Sequence, residues 1–185
     1  MGDQAPHRHP RGDFRPNGRR IEVRMLRTLV VLLTALSLGA PLTVAQKYKG
    51  PRPPKPDVPF LVHASKLVET EAAEAREEKR KDDTVYVVSG AASPVRTPLA
   101  EPILLVETEK LQAERLELYK LEVRNGRREV AFPEKKKKDA PRPIRVSVTR
   151  LDQNLYRLEA TAGLDNGEYS ITPPGSNQVF CFQVY

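Results

Sequence analysis

The run Gln178-Val179-Phe180-Cys181-Phe182-Gln183-Val184 is apolar on both of its alternating faces. Successive side chains of a strand point to opposite sides of the sheet. A strand apolar on both sides therefore lies inside a sheet and between packed layers. Such a strand needs partners, and the preceding chain supplies them. Thr84-Val85-Tyr86-Val87-Val88 is β-branched and aromatic and stops at Ser89-Gly90, and Pro102-Ile103-Leu104-Leu105-Val106 is a second run. Ile144 to Thr149 alternates cleanly, Leu155 to Ala160 continues the meander, and Glu168 to Thr172 precedes the closing run. Asn125-Gly126 stands between Leu121-Glu122-Val123 and Val130-Ala131-Phe132, the pairing of residues that a tight hairpin turn demands. Leu116-Glu117-Leu118 and Leu121-Glu122-Val123 alternate out of phase with each other, which suggests a bulge near Tyr119-Lys120. About eight or nine short antiparallel strands at regular spacing predict a mainly β chain folded as a sandwich or barrel.

One segment resists that pattern. Residues 69–82 carry ten charged side chains in fourteen positions. Ala72, Ala73 and Ala75, together with Glu77 and Lys81 at i,i+4, favour a short charged helix near 67–82 over a charged hairpin. Either would serve mainly as a solvated face.

Leu164-Asp165-Asn166-Gly167-Glu168-Tyr169 leads into the penultimate strand as D-x-G-x-Y. This resembles the tyrosine corner of immunoglobulin-like β-sandwiches, in which the tyrosine hydroxyl bonds back to nearby backbone. The resemblance implies a structural role for Tyr169 and no immune or adhesive activity. Ile171 stands where a disulfide cysteine would follow. The G-E-Y strand start with the tail Phe180-Cys181-Phe182-Gln183-Val184 is also similar to uncharacterised exported bacterial β proteins, a likeness that spans residues 60–185 and implies no activity.

Export is the firmest functional expectation. Leu29 to Ala40 is apolar and uncharged, Arg24 and Arg27 precede it, and Thr43 and Ala45 place small residues at −3 and −1 of a cut before Gln46. Those are the three parts of a cleavable signal peptide, here 25–45. Its apolar run falls short of the ~20 residues of a membrane span. Residues 1–24 are polar, Arg-rich and read as a disordered or mis-assigned extension, with Met25 the expected start. Residues 46–58 form a Pro/Lys-rich linker expected to stay extended and unpacked, and 59–185 form the β-sandwich domain. The expected location is secreted or periplasmic. Removing 1–45 takes away seven Arg and three acids, which leaves 24 basic and 21 acidic residues, a net charge of +3 against +7 for the whole chain. The basicity that would suggest nucleic acid thus sits largely in the leader, and nucleic acid is not an expected partner.

Few chemistries survive inspection. Cys181 is the single cysteine, so no intramolecular disulfide forms, and no Trp occurs. Flanked by Phe180 and Phe182, Cys181 reads as a structural, small buried hydrophobe. His63 is the only histidine after residue 45 and stands far from Cys181, so no metal ligand set assembles. Ser89 and Ser93 lack a G-x-S-x-G setting and read as turn residues. Neither catalytic residues nor a cofactor are expected. Lys135-Lys136-Lys137-Lys138 is the most concentrated feature and the candidate polyanion contact, although no aromatic residue is interleaved with it. The resulting expectation is an exported, non-enzymatic module that binds or supports an envelope protein or polysaccharide. A polyanion-binding domain is the alternative, and an exported hydrolase with carboxylate chemistry comes behind it.

Overall fold

The computed structural model describes residues 48–135 and 140–185. They are built from strands β1 (Phe60–His63), β2 (Lys66–Glu69), β3 (Glu71–Glu74), β4 (Arg76–Arg80), β5 (Asp83–Val88), β6 (Arg96–Thr97) and β7 (Ile103–Glu107), followed by β8 (Glu117–Arg124), β9 (Arg127–Pro133), β10 (Val146–Arg150), β11 (Leu155–Ala160), β12 (Gly167–Thr172) and β13 (Gln178–Val184). The only helical element among them is a 3-10 turn at Ala113–Arg115. A five-stranded antiparallel sheet has the order β10-β11-β7-β1-β2, and a second sheet has the order β3-β13-β12-β8-β9-β5-β4, with β6 lying parallel to the end of β13. The mainly β, sandwich-like arrangement expected from the pattern is present. More strands form than expected because several are only four residues long.

The two faces of β13 explain the layers. Phe180, Phe182 and Val184 join Tyr169, Ile171 and Leu118 against Leu61, Leu104, Val106 and Leu158 of the five-stranded sheet. Val179 and Cys181 point the other way, into a second cluster with Ala75, Val88 and Leu121. The phase change within β8 has the same cause. Leu118 serves the first core and Leu121 the second, and the register with β12 runs from Glu117↔Thr172 to Leu121↔Glu168 without a bulge. The bulge expected at Tyr119-Lys120 is therefore a strand with a core on each side. The Asn125-Gly126 turn is as expected: both residues have positive φ, 50° and 72°, and Arg124 pairs with Arg127.

The charged run is strand, not helix. β3 pairs with β13, β4 pairs with β5, and Ala75 alone joins them. Glu71 and Ala73 lie opposite Cys181 and Val179, and Glu77 lies opposite Tyr86, so the odd positions face the second core. The even positions face outward. Arg80 reaches Glu129 at 2.9 Å and Glu78 at 2.8 Å, and Arg127 reaches Glu78 at 3.2 Å. The Arg80 and Arg76 guanidiniums hold the Glu78 carboxyl down at about 2. Cross-strand ion pairing and burial of Ala75 overrule the helix propensity of the alanines.

Because β3 and β4 stand at opposite ends of the large sheet yet form one continuous stretch, that sheet rolls into a circuit of six strand segments: 71–80, β13, β12, β8, β9, β5 and back to 71–80. The β8–β9 ladder stops at Glu122↔Glu129. Ile144 then donates its N–H to the Leu118 carbonyl at 2.7 Å on that side of β8. The circuit is thereby open on one flank.

The stretch expected to be an unpacked linker docks instead. Pro53 is buried, Arg52 is ion-paired with Asp152, and Lys55 meets Glu69 at 2.8 Å. Asp57, with φ 60°, accepts hydrogen bonds from the backbone N–H groups of Glu109, Lys110 and Leu111. Prolines carry no backbone donor that docking would strand, so a Pro-rich stretch can lie against a sheet at little cost.

The Tyr169 hydroxyl donates to the Asp165 carbonyl at 2.8 Å, the bond a tyrosine corner requires, and the ring stacks on Phe182 with centroids 5.7 Å apart. Tyr169→Phe is expected to cost about 0.5–1.5 kcal/mol, read as a lower urea midpoint with an unchanged slope.

Candidate binding site

The inside of the roll has a polar floor and an open mouth. At the floor lies Arg128, 1% exposed. Its guanidinium forks onto Glu71 with bonds of 2.6 and 2.8 Å and donates to the carbonyls of Ser89 (2.7 Å) and Gly90 (3.1 Å). Glu168 lies 3.8 Å from Arg128 and accepts the Ser93 N–H at 2.9 Å through Oε2. Its Oε1 is buried and has no hydrogen-bond partner among the described residues. The two carboxyls consequently differ. Burial pushes Glu71 up, but the hydrogen bonds from Arg128 and Ser93 outweigh it and leave the group below its ordinary value. Burial dominates at Glu168 and leaves it raised. Burial also pushes the Cys181 thiol up to about 12, against the pull of Arg128.

A carboxyl raised in the folded state favours folding at acid pH, and that contribution is lost as pH rises through its folded value. Glu168→Gln removes this titration. The variant is expected to gain stability relative to the parent on going from pH 4 to pH 7, with urea midpoints at the two pH values as the check.

Above the floor is a cavity of about 570 Å³. Ala75, Val88, Leu121, Val130 and Val179 form its base, and Tyr86, Tyr119 and Phe132 its wall. Phe132 meets both tyrosines edge-on, at 5.8 Å and 5.5 Å between centroids. Glu77, Glu117 and Glu134 line it, and the loop Pro173-Pro174-Gly175-Ser176-Asn177 forms one lip. All six strand segments contribute. Ala75 leaves the space because it is a small inward side chain on the shared strand. The Tyr119 hydroxyl donates to Glu117 at 2.9 Å, and burial, then that bond, lifts Tyr119 to about 12. Lys79 donates to Glu134 at 3.0 Å and to Thr84 at 2.7 Å.

Of the four lysines singled out in the sequence, Lys135 is exposed beside Glu134, and Lys136, Lys137 and Lys138 lie outside the described residues. Tyr169 and Cys181 sit in the first and second core respectively. Among the described residues no group of three or more His, Cys, Asp and Glu side chains is placed to hold a metal, and no helix is long and apolar enough to cross a membrane. The cavity and the Arg128 cluster were not anticipated. Their trace in the sequence is the inward row Arg128, Val130, Phe132 on β9, which sets a cation on an otherwise apolar face. No protein-family model, curated protein or solved structure matches the chain.

Proposed function

We propose that the chain is an exported, non-enzymatic binding module of the cell envelope that holds its ligand in the mouth of the rolled sheet. The cavity carries this reading: an apolar base, an aromatic wall and a few polar groups at the rim are the usual make-up of a ligand site. Its carboxylates argue for binding over hydrolysis. Glycoside chemistry needs a protonated acid facing a free carboxylate. Glu117 is taken by the Tyr119 hydroxyl and Glu134 by Lys79, whose charge also acts on Glu77. The raised carboxyl, Glu168, is at the floor, against the Ser93 amide. Export rests on the signal peptide at 25–45. The immunoglobulin-like reading of the sandwich, and the likeness to exported bacterial β proteins, draw support from the Tyr169 corner bond.

Two measurements test the proposal. The full chain, tagged at its C-terminus and made in a Gram-negative host, should appear outside the inner membrane with Gln46 as its first residue; an unprocessed cytoplasmic chain rejects export. A thermal-shift panel of small organic molecules on the 46–185 product should return ligands whose shift disappears in Tyr119→Ala. A panel without one such ligand rejects the cavity as a binding site.

A further inference from the structure

We infer that the cavity selects an organic cation with an apolar body, a ligand class that rests on the binding role proposed above. Three features of the lining converge on it. Carboxylates of Glu77, Glu117 and Glu134 line the cavity, and among the described residues no Lys, Arg or His side chain does. Lys79 bonds Glu134 and also acts on Glu77 at longer range, so three carboxylates share one neighbouring cation and the rim keeps a net negative field. Beneath them, Tyr86, Tyr119 and Phe132 give the enclosed space an aromatic wall, with Phe132 edge-on to both tyrosines. A ring face attracts a cation through its quadrupole, and the attraction grows where water is excluded.

The alternatives fit less well. An anion would approach three carboxylates with no cation in the lining, among the described residues, to receive it. A sugar would leave the apolar base of Val88, Leu121 and Val179 uncovered. A quaternary ammonium satisfies both halves, since it carries charge for the rim and needs no hydrogen-bond donor or acceptor at the wall. The volume of about 570 Å³ accommodates a ligand larger than a simple inorganic ion.

The experiment compares benzyltriethylammonium, benzyl alcohol and benzenesulfonate on the exported product 46–185, with ring-proton NMR shifts of Tyr86 and Tyr119 as the readout. The ammonium should bind saturably and about tenfold more tightly than either of the others. Glu117→Gln and Glu77→Gln should each weaken it several-fold and leave benzyl alcohol unchanged. Both positions are on the rim and outside the two cores, so both variants should fold. Equal affinity for the three probes at these rings overturns the cation preference and leaves the cavity a general binding site. Failure of every probe to move the rings, with the thermal-shift panel also empty, overturns both readings. Ammonium binding that moves other residues and not these tyrosines overturns the assignment to the cavity.

Discussion

Arg128→Met should lower the unfolding midpoint by roughly 10–15 °C, the shift that a loss of about 3–5 kcal/mol produces in a domain of this size. The size of the effect lies in what remains behind. Glu71 and Glu168 would keep two carboxylates in the floor of the roll without their shared counter-charge, and the carbonyls of Ser89 and Gly90 would lose their donors. Removing one partner of a buried pair costs more than the pair is worth, because the other charge stays buried and unpaired. Two controls follow from that logic. The loss should shrink at pH 4, where the stranded carboxyls take up protons. Arg128→Met combined with Glu71→Gln and Glu168→Gln should recover most of it, since the acceptors stay and the charges go. A triple variant as unstable as Arg128→Met would mean that packing of the guanidinium, not its charge, holds the floor together.

Phe182→Ala should cost a similar amount, about 3–5 kcal/mol, by a different route. Phe182 is fully buried and stacks on Tyr169 in the core shared with the five-stranded sheet. Deleting the ring loses its transfer energy and opens a void that strands locked on both sides fill poorly. Val123, 52% exposed on β8, is the reference: Val123→Ala should stay within about 0.5 kcal/mol. Equilibrium denaturation of the two variants side by side checks both numbers. A Phe182→Ala midpoint close to the parent's would show that β13 is not the centre of the first core.

Much of this architecture is legible in the residues. The two-faced apolarity of 178–184 places β13 between layers, and the structure gives it a core on each side. The Asn125-Gly126 turn and the Tyr169 corner are local patterns with local geometry, and local patterns carry over well. What escaped the sequence is non-local. The helix expected at 67–82 rested on alanine propensity. The strand there is enforced by Glu129, Arg127 and Cys181, all at least 45 residues away in sequence. The out-of-phase leucines of β8 look like a bulge only if a single core is assumed. The docked segment 51–57 escaped because its anchors, Glu107 and Asp152, follow far downstream. The cavity has the same origin: no single strand encodes it, and each supplies one or two inward residues.

The strand shared by both ends of the large sheet also bears on the order of assembly. Its second half finds β5 across a tight turn, Arg80 to Asp83, whereas its first half must find a partner 110 residues away, Glu71 with Cys181. Pairings that distant are slow to form. Both cores take residues from β13, so a nascent chain that has not reached Gln178 can complete neither. The late-arriving strand therefore acts as a clasp that shuts the two halves together.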